Sequence, residues 1–171
     1  MYSQTRFRSY YLPPVDGLSG WAEIVIGSNG FFASVSDYGN YAYAWRHTGV
    51  KDFREFLAGV HSDYLMSKLG QGRKEFDGDR TQALLKEKIL GARREQKLSR
   101  DEARLEWEMA EALAGGVVSL EMWAQDTVWF RDSSWEDICY GPERDLQAFA
   151  KEVWPRFVTI LQNELDQTRG S

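Results

Sequence analysis

The chain has 171 residues, with 21 Lys and Arg against 26 Asp and Glu, giving a formal net charge of −5. That length suits one ordinary domain, and 43% hydrophobic with 27% charged residues argues against disorder, a fibre or a membrane-embedded chain. The aromatic share is high at 14%, with 9 Phe, 8 Tyr and 7 Trp, and such side chains concentrate in cores and at the centres of interfaces.

The first sixteen residues carry Arg6 and Arg8 without an apolar run behind them, which does not read as a signal peptide. No window approaches the ~18 consecutive apolar residues of a spanning helix. Three strands follow. Residues 20–27 contain Trp21, Ile24, Val25 and Ile26, and Asn29-Gly30 is the pair that most readily makes a tight hairpin turn. Residues 31–37 form the second strand, and Tyr38-Gly39-Asn40 is a second turn cluster. Residues 41–47 alternate, with Tyr41, Tyr43, Trp45 and His47 on one face. A small sheet of this kind needs a covering layer, which the helices downstream supply.

Val50, Phe53, Phe56, Leu57 and Val60 repeat at helical spacing over 51–59, and Ser62 reads as the cap of a helix ending before Gly70. Residues 70–78 are the best candidate linker, with a brief strand around 75–77. A helix over 79–97 follows. Ser99-Arg100-Asp101-Glu102 has the spacing of a capping box for a helix that Gly115-Gly116 ends, and Ser119 caps a short one. Residues 127–140 have no period. Leu146, Phe149, Val153, Phe157, Ile160, Leu161 and Leu165 form a final helical stripe, which Pro155 breaks near 153–154. The expectation is an α+β single domain, 1–171, with a three-stranded antiparallel meander over about 20–47 and a helical part over about 50–168.

Chemistry-bearing residues are few. Cys139 is the one cysteine, which removes a disulfide framework and a multi-cysteine zinc site and suits a reducing cytosol. His47 and His61 are the two histidines. His47 with Asp37 is a conceivable acid/base pair, but packing or a surface hydrogen bond accounts for it as well. The run Gly70-Gln71-Gly72-Arg73-Lys74 lacks phosphate-loop spacing. No catalytic residue, metal site or cofactor is expected.

Charge is uneven. Residues 1–72 are neutral, 73–104 carry ten basic and seven acidic residues, and 105–171 carry five and thirteen, a net of −8. In the middle segment Lys86, Arg93, Arg94 and Lys97 could form a phosphate-binding stripe, although Glu87, Glu95, Asp101 and Glu102 interleave as ion-pair partners. From 121 to 145, seven acidic residues stand among Trp123, Trp129, Phe130, Trp135 and Tyr140. Aromatic anchors ringed by carboxylates suit a basic partner, and Trp129, Asp132, Trp135, Glu136 and Asp137 are the candidate contacts. A core-packed loop with solubilising charges is the equal alternative.

The stretch from Gly20-Trp21-Ala22-Glu23 through Phe31 to Trp45, followed by Asp52-Phe53-Arg54-Glu55-Phe56-Leu57 and Asp63-Tyr64-Leu65-Met66-Ser67-Lys68-Leu69, resembles small accessory proteins of bacteriophages and prophages over residues 18–70. The resemblance implies a mobile-element origin and transfers no catalytic residue. Compact acidic phage proteins often bind host complexes, including RNA-guided defence complexes with basic channels. The expectation is therefore a non-enzymatic, anti-CRISPR-like inhibitor in the host cytosol, with a host protein or ribonucleoprotein partner and no membrane. A small nucleic-acid-binding regulator using the basic middle helix is the alternative.

Overall fold

The computed structural model describes residues 4–130 and 134–170, and the side chains of all of these except Ser134 and Trp135. The architecture is α+β, and the chain forms two compact units. One comprises Met1–Lys74 and Pro142–Ser171, and the other, Glu75–Gly141, is inserted between its halves. Each has its own core: Ile24, Phe32, Leu57 and Phe157 belong to the first, Leu85, Leu113, Trp123 and Phe130 to the second. The inserted unit carries nine basic and fifteen acidic residues, net −6, and the other twelve and eleven, net +1.

The sheet unit is built on a four-stranded antiparallel meander, β1 (Phe7–Leu12), β2 (Ala22–Gly27), β3 (Phe31–Ser36) and β4 (Gly39–Ala44), in that spatial order. The expected three strands are thus joined by β1 at one edge. Aromatic side chains stand on both of its sides, Tyr10 with Leu12 inward and Phe7 and Tyr11 outward, so the period-2 contrast that marks a half-buried strand is weak. The β2–β3 connection is a three-residue loop. Gly30 N donates to Gly27 O (3.0 Å), and Gly30 alone of the Asn-Gly pair takes a positive φ, +85°, the arrangement of a type I turn closed by a left-handed residue. A Cβ there would sit 1.9 Å from Trp45 O. Tyr41 and Trp45 turn inward as expected, but β4 ends at Ala44 and His47 is exposed.

Helices cover one face of this sheet. They are α1 (Phe53–Ala58), α2 (Ser62–Leu69), α6 (Arg144–Ala148) and α7 (Trp154–Arg169). His61, not Ser62, is the N-cap of α2, and it makes no side-chain cap bond. The break at Pro155 is real: Phe149–Val153 is a π-helical turn, and Pro155 sits in the first turn of α7, where its missing N–H is harmless. Arg54 ties the layers together. Its guanidinium is buried, bonds Asp52 (2.6 Å) at the head of α1 and Glu164 (2.9 Å) on α7, and Tyr10 of β1 donates to the same Glu164 oxygen (3.2 Å).

The inserted unit contains β5 (Glu75–Phe76) paired with β6 (Tyr140–Gly141), α3 (Gly78–Arg94), α4 (Arg100–Ala114), α5 (Leu120–Asp126) and a 3-10 turn at Ser134–Asp137. Asp77 caps α3 through Arg80 N (3.0 Å). The capping box at Ser99 and Glu102 is present as the sequence predicts, with both reciprocal bonds made (3.2 and 2.7 Å). Among the described residues no helix is long and apolar enough to cross a membrane.

Candidate functional site

The acidic, aromatic stretch is organised by a residue that the sequence did not single out. Glu106 on α4 is buried, and its carboxylate accepts from Thr127 Oγ1 (2.7 Å), Val128 N (2.8 Å) and Trp129 N (2.9 Å). A buried carboxylate is tolerated when several donors converge on it, and here the donors fix the turn that leaves α5. Trp123 and Phe130 are then buried, Trp129 stacks edge-on against Phe130 at 4.7 Å, and Val128 points outward, 70% exposed.

The five candidate contacts separate. Trp129 is half-buried and Glu136 is exposed. Asp137 is buried and ion-paired with Lys88, which corrects its place on an outer surface. The reason is local: the 3-10 turn directs Asp137 inward beside buried Ile138. Among the described residues its Oδ2 has no hydrogen-bond partner. Asp132 and the Trp135 side chain lie outside the described residues. What the unit does display is Val117, Met122 and Val128, all more than half exposed, with exposed Glu121, Asp126 and Glu136 in the same chain segment.

The basic run is largely committed to its own unit. Lys86 pairs with Glu111 on α4 (2.7 Å) and lies 4.4 Å from the Trp107 ring centre. Arg93 donates to Leu98 O, and Lys97 pairs with Glu95 (2.6 Å). Because α3 ends at Arg94, Lys97 falls in the following turn and does not share a helical face with Lys86 and Arg93. Arg94 is exposed and makes no ion pair among the described residues.

His47 and Asp37 do not form a pair among the described residues. Asp37 accepts from Gly20 N (2.8 Å) and Trp21 N (3.2 Å), a turn-closing role, while His47 lines a surface cleft with Arg46 and Lys51. Cys139 is half-buried. Among the described residues, no group of three or more His, Cys, Asp or Glu side chains is arranged to hold a metal ion.

A second surface belongs to the sheet unit. The strand register places Tyr11, Glu23, Val35 and Asn40 in one row across the outer face, Ser9, Val25, Ala33 and Ala42 in the next, and Phe7, Gly27, Phe31 and Ala44 in the third. Glu23 is the one charge in the three rows. Phe7 and Tyr11 are 59% and 63% exposed, and Phe7 meets Phe31 edge-on at 6.0 Å over the bare backbone of Gly27. At the Gly27 end of the sheet lie two adjoining clefts of about 280 and 570 Å³. Arg6, Arg8, Lys51 and Arg54 line the first and Arg46, His47 and Lys51 the second, with Asp52 the one acidic residue among them.

A family model described as a phage family matches residues 3–163. No curated protein and no solved structure matches the chain.

Proposed function

The chain belongs to the Phage_phiTE_072 phage family, and from that premise we propose a non-enzymatic binding protein that inhibits a host nucleic-acid-handling or defence complex. The contact surface is the acidic inserted unit, and the partner surface is basic. The observation that carries this reading is the turn held by Glu106, which presents Val128 to solvent between Asp126 and Trp129. A bonded, buried carboxylate fixes that turn, so little conformational entropy remains to be lost when it is covered. Exposed apolar residues set among carboxylates combine a desolvating centre with electrostatic steering, and the net −6 of the unit adds a long-range component.

Trp129, Asp132, Trp135 and Glu136 remain the proposed contacts, joined by Met122, Asp126 and Val128. Asp137 is left out because Lys88 already holds it. Affinity capture from host lysate tests the reading when wild type is compared with Val128→Glu and with the charge reversal Asp126→Lys/Glu136→Lys. A complex retained by wild type and released by both variants supports it. Equal retention would remove this surface from the account.

A further inference from the structure

We propose that the open sheet face and the basic clefts at its Gly27 end form a binding site for single-stranded nucleic acid. The site lies wholly within the sheet unit, whereas the surface proposed for the protein partner belongs to the inserted unit. Bases stack on Phe7, Phe31 and Tyr11, while phosphates follow Arg6, Lys51 and Arg46.

Three observations carry this. The first is shape: on four strands, two rows of mostly small or aromatic side chains and a third in which Glu23, Val35 and Asn40 lie beside Tyr11 leave a shallow platform from which Phe7 and Tyr11 stand out. Four residues apart on one strand, they are separated by roughly 13 Å, a span that accommodates intervening nucleotides of an extended strand. The second is chemistry. Aromatic platforms beside a cationic track are the general solution for single strands, because every base offers a π-face and every nucleotide a negative charge. The third is the distribution of charge. Arg54 is consumed by Asp52 and Glu164, and Arg8 lies 3.5 Å from Glu164. Arg6, Arg46 and Lys51 have no ion pair among the described residues, so the clefts keep uncompensated positive charge in a chain of net −5. Gly27 marks the end of the sheet where the two halves of the site meet: it lies beneath the Phe7–Phe31 pair on the open face and lines the first cleft, whose Ile26, Phe53 and Arg54 walls belong to the helix-covered side, so a bound strand passes round that end. A side chain there would meet Asn29 Oδ1 at 2.7 Å, Phe7 at 3.0 Å and Phe31 at 3.2 Å, crowding the pair that we assign to stacking.

The test is fluorescence anisotropy of labelled oligothymidine, oligouridine and a duplex of the same length, titrated with the full chain across a salt series. Single strands are expected to bind more tightly than the duplex, and the thymidine and uridine probes tell DNA from RNA. Phe7→Ala and Tyr11→Ala should each weaken binding about five- to one-hundred-fold, the range of one lost base stack. The double reversal Arg6→Glu/Lys51→Glu should lower the salt slope by about two. All four positions are exposed, and circular dichroism checks that each variant folds. Several outcomes overturn the proposal: no binding at low salt, affinity unaltered by these variants, or binding abolished instead by Arg93→Glu/Arg94→Glu. A Phe7-dependent dimer seen by sedimentation would also overturn it, giving the face to a second copy.

Discussion

Replacing Glu106 removes the carboxylate that accepts three of the bonds holding the turn after α5, and the two available replacements separate its contributions. In Glu106→Ala, the N–H groups of Val128 and Trp129 and the Thr127 hydroxyl lose their shared partner. Leaving a donor buried without a partner costs ~1–3 kcal/mol, but the groups are neighbours and their losses do not add. Part of the Val128 and Trp129 backbone also reaches water once the turn relaxes. About 3–5 kcal/mol for the inserted unit is therefore the expected loss. Glu106→Gln keeps an oxygen for the two amides, and its new amide group can donate to Thr127 Oγ1. The buried Thr127 hydroxyl then loses its acceptor along with the charge assistance, for a cost of about 1–3 kcal/mol. Urea unfolding gives both numbers, and amide hydrogen exchange at Val128 and Trp129 localises the effect. A loss below 1 kcal/mol in the alanine variant, with exchange at the two amides unchanged, would refute the role given to Glu106.

Arg54→Met removes the buried guanidinium shared by Asp52 and Glu164, which are about a third exposed and keep the residue 54 backbone N–H and the Tyr10 hydroxyl as donors, and should cost about 1–3 kcal/mol in thermal or urea unfolding. Arg54→Lys should fail to restore it, because one ammonium cannot span both partners. The Arg54 hydrogen bond is the main reason Asp52 titrates below the ordinary carboxylate range. Its stabilising contribution is thus complete above pH ~4 and fades as pH falls further, so acid melts of wild type should lose stability that Arg54→Met has already lost. At the alkaline end, burial first and then nearby carboxylates push Tyr10 and Tyr41 up to about 12. A raised folded-state value favours the neutral phenol, so the contribution is whole below pH ~10 and is lost between there and about 12. Tyrosinate absorbance should therefore show at least two late-ionising tyrosines, and ionisation of all tyrosines together near the ordinary value would contradict their burial. Gly30→Ala should cost about 2 kcal/mol or more, because its Cβ would strike Trp45 O at 1.9 Å. Gly49→Ala, at φ +74° with nothing within 4 Å, should show only the backbone cost of ~1 kcal/mol, and equal effects would contradict the steric argument.

Several features governed by near neighbours in sequence were readable, although the cap of α2 falls on His61 and not on Ser62. The Ser99–Glu102 box, the Ser119 cap and the break at Pro155 all depend on residues within one turn of each other. Strands β2 and β3 were legible because their inward and outward residues differ, whereas β1 hid behind aromatics on both faces. The roles of Glu106 and Arg54 were not legible, since their decisive partners lie 21 to 23 and 110 residues away. The same limit applies to the acidic stretch. Sequence located carboxylates among aromatics, but only the fold shows that Asp137 faces Lys88 while Glu136 faces solvent. The platform on the sheet needed the register of all four strands before Phe7, Gly27 and Phe31 fell into one row.

Quantitative affinity capture from host lysate, wild type against Val128→Glu, tests the central claim most directly. Val128 is 70% exposed, so the substitution leaves both cores untouched and changes only what the inserted unit presents. A host nucleic-acid-handling complex should be retained by wild type and lost by the variant, with both proteins melting alike. The same complex on both proteins, or no such complex on wild type, would contradict it.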